Sequence, residues 1–385
     1  KATKGLSFLT KHGDKVVDIK GADLKVGDVV PIANSLVINE IGFIKSLNIR
    51  EYLPPTEWLY GTDVHAALTE LHGADRHWFQ KNNGSKFTVP YSRSDIFRSA
   101  FVGGRNTNTD TVKPGFVYPA RTRPDVSQIP AEIPLDESFG FFVGAYLAEG
   151  MANSTQVNIT NNDTAYLDKV SGLMAAWNVG THTVCEQRDC KKTGIKGTTT
   201  SLVIHSTLVA NLMQKLFGRV SHEKTIPDWA FQAPDSFVQG LVDGYISGDG
   251  TIEAKSGCIK ATSVSKDLLE RFGTLMARYG IFTTLSERTP EIGLFDSVRT
   301  NYTTYIPVKY SAVFAETFHL CIPSKQNILN KQFVSKTLKR SSRRLATGDI
   351  VWDTIRSIKE VLPMKERVYD LTVETTRNFM TSTCL

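Results

Sequence analysis

Cysteine is scarce in this sequence: five in 385 residues, at positions 185, 190, 258, 321 and 384. That density excludes a disulfide-stapled secreted scaffold and reads as reduced intracellular thiols. Cys185 and Cys190 form the only close pair, with no second pair and no histidine at zinc spacing, so a zinc site is excluded. No apolar run is long enough to span a bilayer, and no secretory leader is visible. Gly103-Gly104 lacks the Lys-Ser/Thr of a phosphate loop, so nucleotide binding finds no support. Charge of one sign does not dominate either. The net charge of +6 is compatible with a polyanionic partner but does not identify one. At 41% hydrophobic, the chain can bury more than one core, which predicts two or three folding units.

What the sequence does contain is one short phrase written twice. Phe142-Val143-Gly144-Ala145-Tyr146-Leu147-Ala148-Glu149-Gly150 returns as Val242-Asp243-Gly244-Tyr245-Ile246-Ser247-Gly248-Asp249-Gly250. Each reads as a helix closed by a carboxylate and ended by a glycine in the left-handed C′ conformation. The helix dipole is already negative at that end, so an acid there is poorly placed unless a cation binds. Gly144 with Ala148, and Gly244 with Gly248, put small residues on one face of each helix, so the two backbones can approach closely. Two such ends brought together would make a divalent-metal site.

The repeat extends beyond the phrase. Thr155-Gln156-Val157-Asn158-Ile159-Thr160 and Cys258-Ile259-Lys260-Ala261-Thr262 read as strands. Helical runs follow, with Leu167, Val170, Leu173, Met174 and Trp177 in one and Leu268, Leu269, Phe272, Leu275 and Met276 in the other. Leu173 and Leu275 are 102 apart, against 100 for the two carboxylates, a two-residue loop difference. Helix, strand, amphipathic helix, twice over, predicts an α+β unit with a pseudo-twofold axis. Strand alternation puts Gln156, Asn158 and Thr160 on one face, and Lys260 with Thr262 on the matching face of the second half. Amide, hydroxyl and basic groups on a β-ribbon can read base edges in a major groove.

These paired segments resemble the LAGLIDADG motifs of homing endonucleases. His222-Glu223-Lys224-Thr225-Ile226-Pro227 resembles the Lys-x-Ile-Pro block that precedes the second motif in intein-encoded members. The resemblance implies that Glu149 and Asp249 hold Mg²⁺ (or Mn²⁺) at the helix interface, each near one scissile phosphate. It also implies a lysine beside each centre, to polarise water or steady the pentacovalent state. Lys224 is the candidate for one and Lys325, in Cys321-Ile322-Pro323-Ser324-Lys325, for the other.

The ends carry a second resemblance, to the Hint splicing domain of an intein. Thr3 opens a Thr-x-x-His-like block, followed by Ala22-Asp23-Leu24-Lys25-Val26-Gly27-Asp28. Val368-Tyr369-Asp370-Leu371-Thr372-Val373 resembles the Val-Tyr-Asp-Leu-Thr-Val block, which makes Thr3 and Asp370 the splicing-block matches. The departures are specific. Leu6 stands where that block has histidine, Arg377 where the final block often has one, and the nucleophile at the start and the terminal His-Asn are missing. The expectation is a truncated or decayed splicing element whose nuclease is the more intact part.

The layout expected is an α+β, pseudo-twofold endonuclease inserted in an all-β Hint-type domain. Residues 1–45 and 346–385 form the incomplete splicing halves. Residues 133–345 form the endonuclease, with repeats about 133–230 and 231–340. Residues 46–132 are an accessory insertion, with Arg93 and Arg98 on a capped helix start as DNA contacts. The implied partners are a double-stranded DNA target and the host-protein exteins, with no membrane. The implied state is a monomer, and the location is intracellular, nuclear or cytoplasmic, following the host. Two other readings stay open: a splicing element carrying an inactive nuclease, and a DNA-binding module that no longer cuts.

Overall fold

The computed structural model describes residues 4–33, 42–52, 58–60, 89–90, 116–119, 129–189, 196–288, 300–337 and 350–360. They form a mixed α/β fold with several small sheets. At the start, β1 (Ser7–His12) and β2 (Lys15–Lys20) make a hairpin, followed by β3 (Val29–Ala33). Gly13 turns the hairpin at φ 62°, a conformation that glycine adopts without steric cost. Six short strands follow: β4 (Ser46–Asn48), β5 (Trp58–Tyr60), β6 (Val89–Pro90), β7 (Phe116–Pro119), β8 (Ile129–Pro130) and β9 (Glu132–Pro134). β5 to β8 form one sheet in the order β6-β5-β7-β8, and β4 pairs with β9. Leu47 and Ile49 thereby join Ile129, Ile133 and Leu135 in the main core.

From Glu137 onward one order of elements occurs twice. The first copy is α1 (Glu137–Glu149), β10 (Gly150–Ala152), β11 (Val157–Thr160), α2 (Thr164–Ala176), β12 (Thr181–Asp189), β13 (Lys196–Ile204) and α3 (Thr207–Phe217). The second is α4 (Asp235–Gly248), β14 (Gly250–Ile252), β15 (Ile259–Ser263), α5 (Lys266–Ala277), β16 (Thr284–Arg288), β17 (Asn301–Ile306) and α6 (Ser311–Thr317). The sheets run β10-β11-β13-β12 and β14-β15-β17-β16, antiparallel throughout and identical in topology. After α7 (Pro323–Thr337), β18 (Ile350–Thr354) returns to pair antiparallel with β3.

Local chemistry starts most of these helices. Asp136, Asp163, Ser206 and Ser265 each accept a main-chain N–H three residues on, at 2.9 to 3.2 Å, satisfying a donor the helix itself cannot. Amphipathicity orients α2 and α5, whose leucines, Met174, Met276 and Phe272 face inward. α1 is different, being buried continuously from Phe139 to Leu147. It lies parallel to α4 at the centre of the molecule, and the sheets and outer helices pack around that pair.

Glycine sets the spacing of the pair. A Cβ on Gly144 would stand 2.1 Å from the Leu241 carbonyl oxygen, and one on Gly244 2.3 Å from that of Phe141. Gly140 and Gly240, one turn earlier, are equally tight, at 2.1 Å from Phe237 O and 2.0 Å from Glu137 O. The interface is main chain against main chain, tighter than any pair of side-chain-bearing helices permits.

Two expectations need correction. Gly150 is not a left-handed cap: it sits at φ −82°, ψ 144° and begins β10, and Gly250 likewise begins β14. Glycine is required there for space, because a Cβ would meet Tyr146 main chain at 2.5 Å or Ile246 O at 2.4 Å. The first reading strand begins at Val157, not Thr155. The Asn153 side chain accepts the amides of Thr155 and Gln156 at 2.9 Å, and this turn holds both residues out of the sheet.

Candidate active site

Because α1 and α4 run parallel in register, their carboxylates emerge together. Ala148 Cβ and Glu149 Cγ lie 2.5 and 3.4 Å from where a Cβ on Gly248 would be, so Glu149 leans across the end of α4. Both acids are partly buried. Burial raises the Glu149 carboxyl above its ordinary value. Asp249 is pushed up to about 7, by burial first and by Glu149 second. Lys224 and Lys325 offset this for both acids, but only in part.

The two lysines occupy matching places. Lys224, 5% exposed, follows α3 and donates to the carbonyls of Leu147 at 3.0 Å and Ala148 at 3.4 Å, the end of α1. Lys325, in the first turn of α7, donates to Ile246 at 3.1 Å, Ser247 and Gly248 at 2.9 Å, the end of α4. Each ammonium therefore closes the negative end of one central helix. Burial lowers both amines, Lys224 to about 8, while Asp249 and Glu149 pull the other way. Tyr166 lies fully buried beneath the pair, its hydroxyl donating to Gly244 O at 2.8 Å.

Among the described residues no group of three or more His, Cys, Asp or Glu side chains forms a metal cluster. A divalent cation nevertheless fits the donor set. Two carboxylates desolvated side by side, with Asp249 raised further by Glu149, are hard oxygen ligands whose charge Lys224 and Lys325 offset only in part. A cation that keeps much of its water would supply the remaining counter-charge with few protein ligands.

The sheets present matched polar faces. Val157 and Ile159 are buried, while Asn158 and Thr160 face outward beside Val203, Ser201 and, one strand further, His182 and Val184. Thr160 and Ser201 hydroxyls meet at 2.8 Å, and Gln156 donates to Asn158 at 3.3 Å. In the second sheet Lys260 and Thr262 lie beside Tyr305 and Thr303 and then Thr284 and Ser286. Lys260 is paired with Glu253 at 2.9 Å, and Thr262 with Thr303 at 3.0 Å. Sequence reading missed the residues contributed by the last two strands of each sheet. Thr199–Val203 and Asn301–Tyr305 show no regular polar–apolar alternation, so periodicity does not mark them. Arg93, Arg98, Thr3 and Asp370 lie outside the described residues.

Comparison with known proteins adds the following. The model of the intein splicing domain family matches residues 1–385. A DNA-directed RNA polymerase subunit of Methanocaldococcus jannaschii is 22% identical over 454 residues, 99% of this chain and 44% of that protein. A DNA polymerase of Thermococcus litoralis is 27% identical over 182 residues, 46% of this chain and 10% of that one. The chain thus spans less than half the length of these relatives. Among solved structures, the homing endonuclease I-WcaI bound to its DNA recognition sequence is 13% identical, covering 50% of this chain and 85% of that one at a TM-score of 0.37. I-DmoI in complex with DNA and Mn is 14% identical, covering 48% and 99%, at a TM-score of 0.35. Among the described residues no helix is long and apolar enough to cross a membrane.

Proposed function

Given that the chain belongs to the intein splicing domain family, we propose that its duplicated unit is a LAGLIDADG-type endonuclease that cuts both strands of a specific DNA site. The observation that carries this reading is the convergence of Glu149 and Asp249 at the ends of two glycine-packed helices, each end capped by a lysine. Glu149 and Asp249 would hold Mg²⁺ or Mn²⁺, which when bound activates water and neutralises charge on the scissile phosphate.

The protein's own groups do the rest. Lys224 and Lys325 turn their ammonium protons to main-chain carbonyls, so they act first by cancelling the negative helix ends. A polyanionic phosphate can then approach two carboxylates without facing four negative features at once. The polar faces of the two sheets, with Asn158 and Thr160 on one, Gln156 beside them in the preceding turn, and Lys260 and Thr262 on the other, would lie along the groove and select sequence.

The remaining layout is part of the same proposal. Residues 133–345 act as the nuclease, 46–132 as an accessory DNA-contacting insertion that includes Arg93 and Arg98, and 1–45 with 346–385 as Hint-type splicing halves containing Thr3 and Asp370. The β3–β18 ladder supports this, because it rejoins segments on either side of the nuclease, with Ile355 N donating to Asp28 O at 2.8 Å. Leu6 cannot transfer a proton, so splicing at the first junction is expected to be weak. The exteins would be the flanking host protein.

The test is cleavage of a randomised double-stranded DNA library by the full chain in Mg²⁺, read by sequencing the ends. Enrichment of one site establishes the nuclease. Specific binding without cutting supports a DNA-binding-only module instead.

A further inference from the structure

Lys224 lies in a loop and Lys325 in the first turn of α7, and the opposite repeat reaches both, directly at the first and through Asp243 at the second. The loop after the first repeat carries Lys224. It is held by α5 of the second: Arg271 donates to Ile226 O at 2.9 Å and to Asp228 at 2.6 Å, Ser265 donates to Lys224 O at 2.7 Å, and Thr225 bonds Asp267. The segment after the second repeat leads into α7, whose first turn carries Lys325. There Asp243 accepts the Cys321 amide at 2.7 Å and the Ser247 hydroxyl at 2.8 Å, while Lys169 of α2 donates to its other oxygen at 2.8 Å. Lys169 and Arg271 are 102 apart, the same offset that superposes Leu173 on Leu275. They are the equivalent basic residue of equivalent helices, each reaching across the molecular centre.

Asp243 has no counterpart in the first repeat, where Val143 stands at the matching position. It is 4% exposed, and apart from Ser247 the other buried residues of its helix are glycine and hydrophobic. A buried carboxylate at such a place is costly unless each oxygen is satisfied, and here both are. The segment from Leu320 to Lys325 is held as well by Leu320 N to Gln326, by Lys325 N to Ile322 O, and by the bonds of the Lys325 ammonium to the end of α4.

We propose that Asp243 of the second repeat, oriented by Lys169 of the first, is a positioning residue for Lys325, and that Arg271 of the second repeat plays the same part for Lys224. This rests on reading Glu149 and Asp249 as a nuclease centre. Its distinctive consequence is strand asymmetry. Loss of a merely structural contact slows both strands alike, whereas a displaced lysine slows the strand it serves.

The experiment uses the full chain and DNA bearing the site recovered by the wild type, with each strand labelled separately. Asp243→Val is the informative variant, because valine is what the first repeat places there, and the helix pair accommodates it. Misplacement of a charged group by about 1 Å costs on the order of 100-fold. Asp243→Val should therefore slow one strand by about that factor and leave the other within a few-fold, giving a nickase. Asp243→Asn, which keeps an acceptor for the Cys321 amide, should recover part of the loss. Arg271→Gln should slow the opposite strand. Equal slowing of both strands, or the same strand slowed by both variants, overturns the proposal. Hydrogen exchange needs no cleavage: Asp243→Val should speed exchange across residues 319–326, including the Lys325 and Gln326 amides, at unchanged melting temperature. No change there overturns the proposal on its own. A wild-type chain that cuts no DNA would instead sink the nuclease reading and leave the exchange result to decide the role of Asp243.

Discussion

Gly144→Ala is the smallest change that should break the centre. The added methyl would lie 2.1 Å from Leu241 O and 2.7 Å from Tyr245 N, against about 3.4 Å for ordinary contact. Both obstacles are main-chain atoms, so no rotamer change relieves them, and α1 and α4 must part by about 1 Å. Overpacking of this kind costs about 3 kcal/mol, the upper end of the usual range. It also draws Glu149 away from Asp249. The control is Gly172→Ala in α2, where the methyl meets nothing within 4 Å. Alanine is the better helix former there and should stabilise by about 0.5–1 kcal/mol. Denaturant unfolding followed by tryptophan fluorescence measures both, since Trp177 packs on Phe139 of α1 at 6.0 Å. Gly144→Ala as stable as wild type, or less harmful than Gly172→Ala, would refute the close-packed helix interface.

Three further outcomes are expected. The Asp249 carboxyl ionises at about 4 in the unfolded chain but holds its proton to about 7 in the fold. Its contribution to stability therefore falls as pH rises from about 4 to 7 and stays low above. Asp249→Asn should stabilise the metal-free protein at pH 8 by about 1–3 kcal/mol and leave it unchanged near pH 3, with denaturation curves at both pH values as the check. Lys224→Met uncaps Leu147 and Ala148 and removes a cation still charged at pH 7. Cleavage should drop by about 100-fold while gel-shift affinity holds within a few-fold; equal loss of both would refute its placement at the chemistry. Asn158→Ala and Thr262→Ala should each relax preference at one base pair, costing about 1–3 kcal/mol of discrimination, in opposite half-sites of a selected library. Loss spread evenly over the site would argue against readout by these faces.

The central motif was legible because its rule is local. Small residues four apart and a terminal carboxylate imply a close helix pair with an acidic end, and a single register offset aligned the repeats. The second strand of each sheet was legible for the same reason, since Val157, Ile159 and Ile259 mark the buried face. Lys325 was harder, because it follows its Ile-Pro pair whereas Lys224 precedes its own, so no shared spacing announces the equivalence. Asp243 was invisible as a functional residue, because its partners come from residues 169, 247 and 321, and only tertiary structure unites them. The glycines at 150 and 250 were found but given the wrong cause: crowding against the preceding helical turn selects them, not a left-handed φ.

The most direct measurement is strand-resolved cleavage of the recovered DNA site as a function of Mg²⁺, comparing wild type with Glu149→Gln and Asp249→Asn. Metal-dependent cutting of both strands by the wild type, lost in each variant while DNA binding persists, is the expected result. Undiminished cutting by either variant would contradict a centre built from that pair of carboxylates.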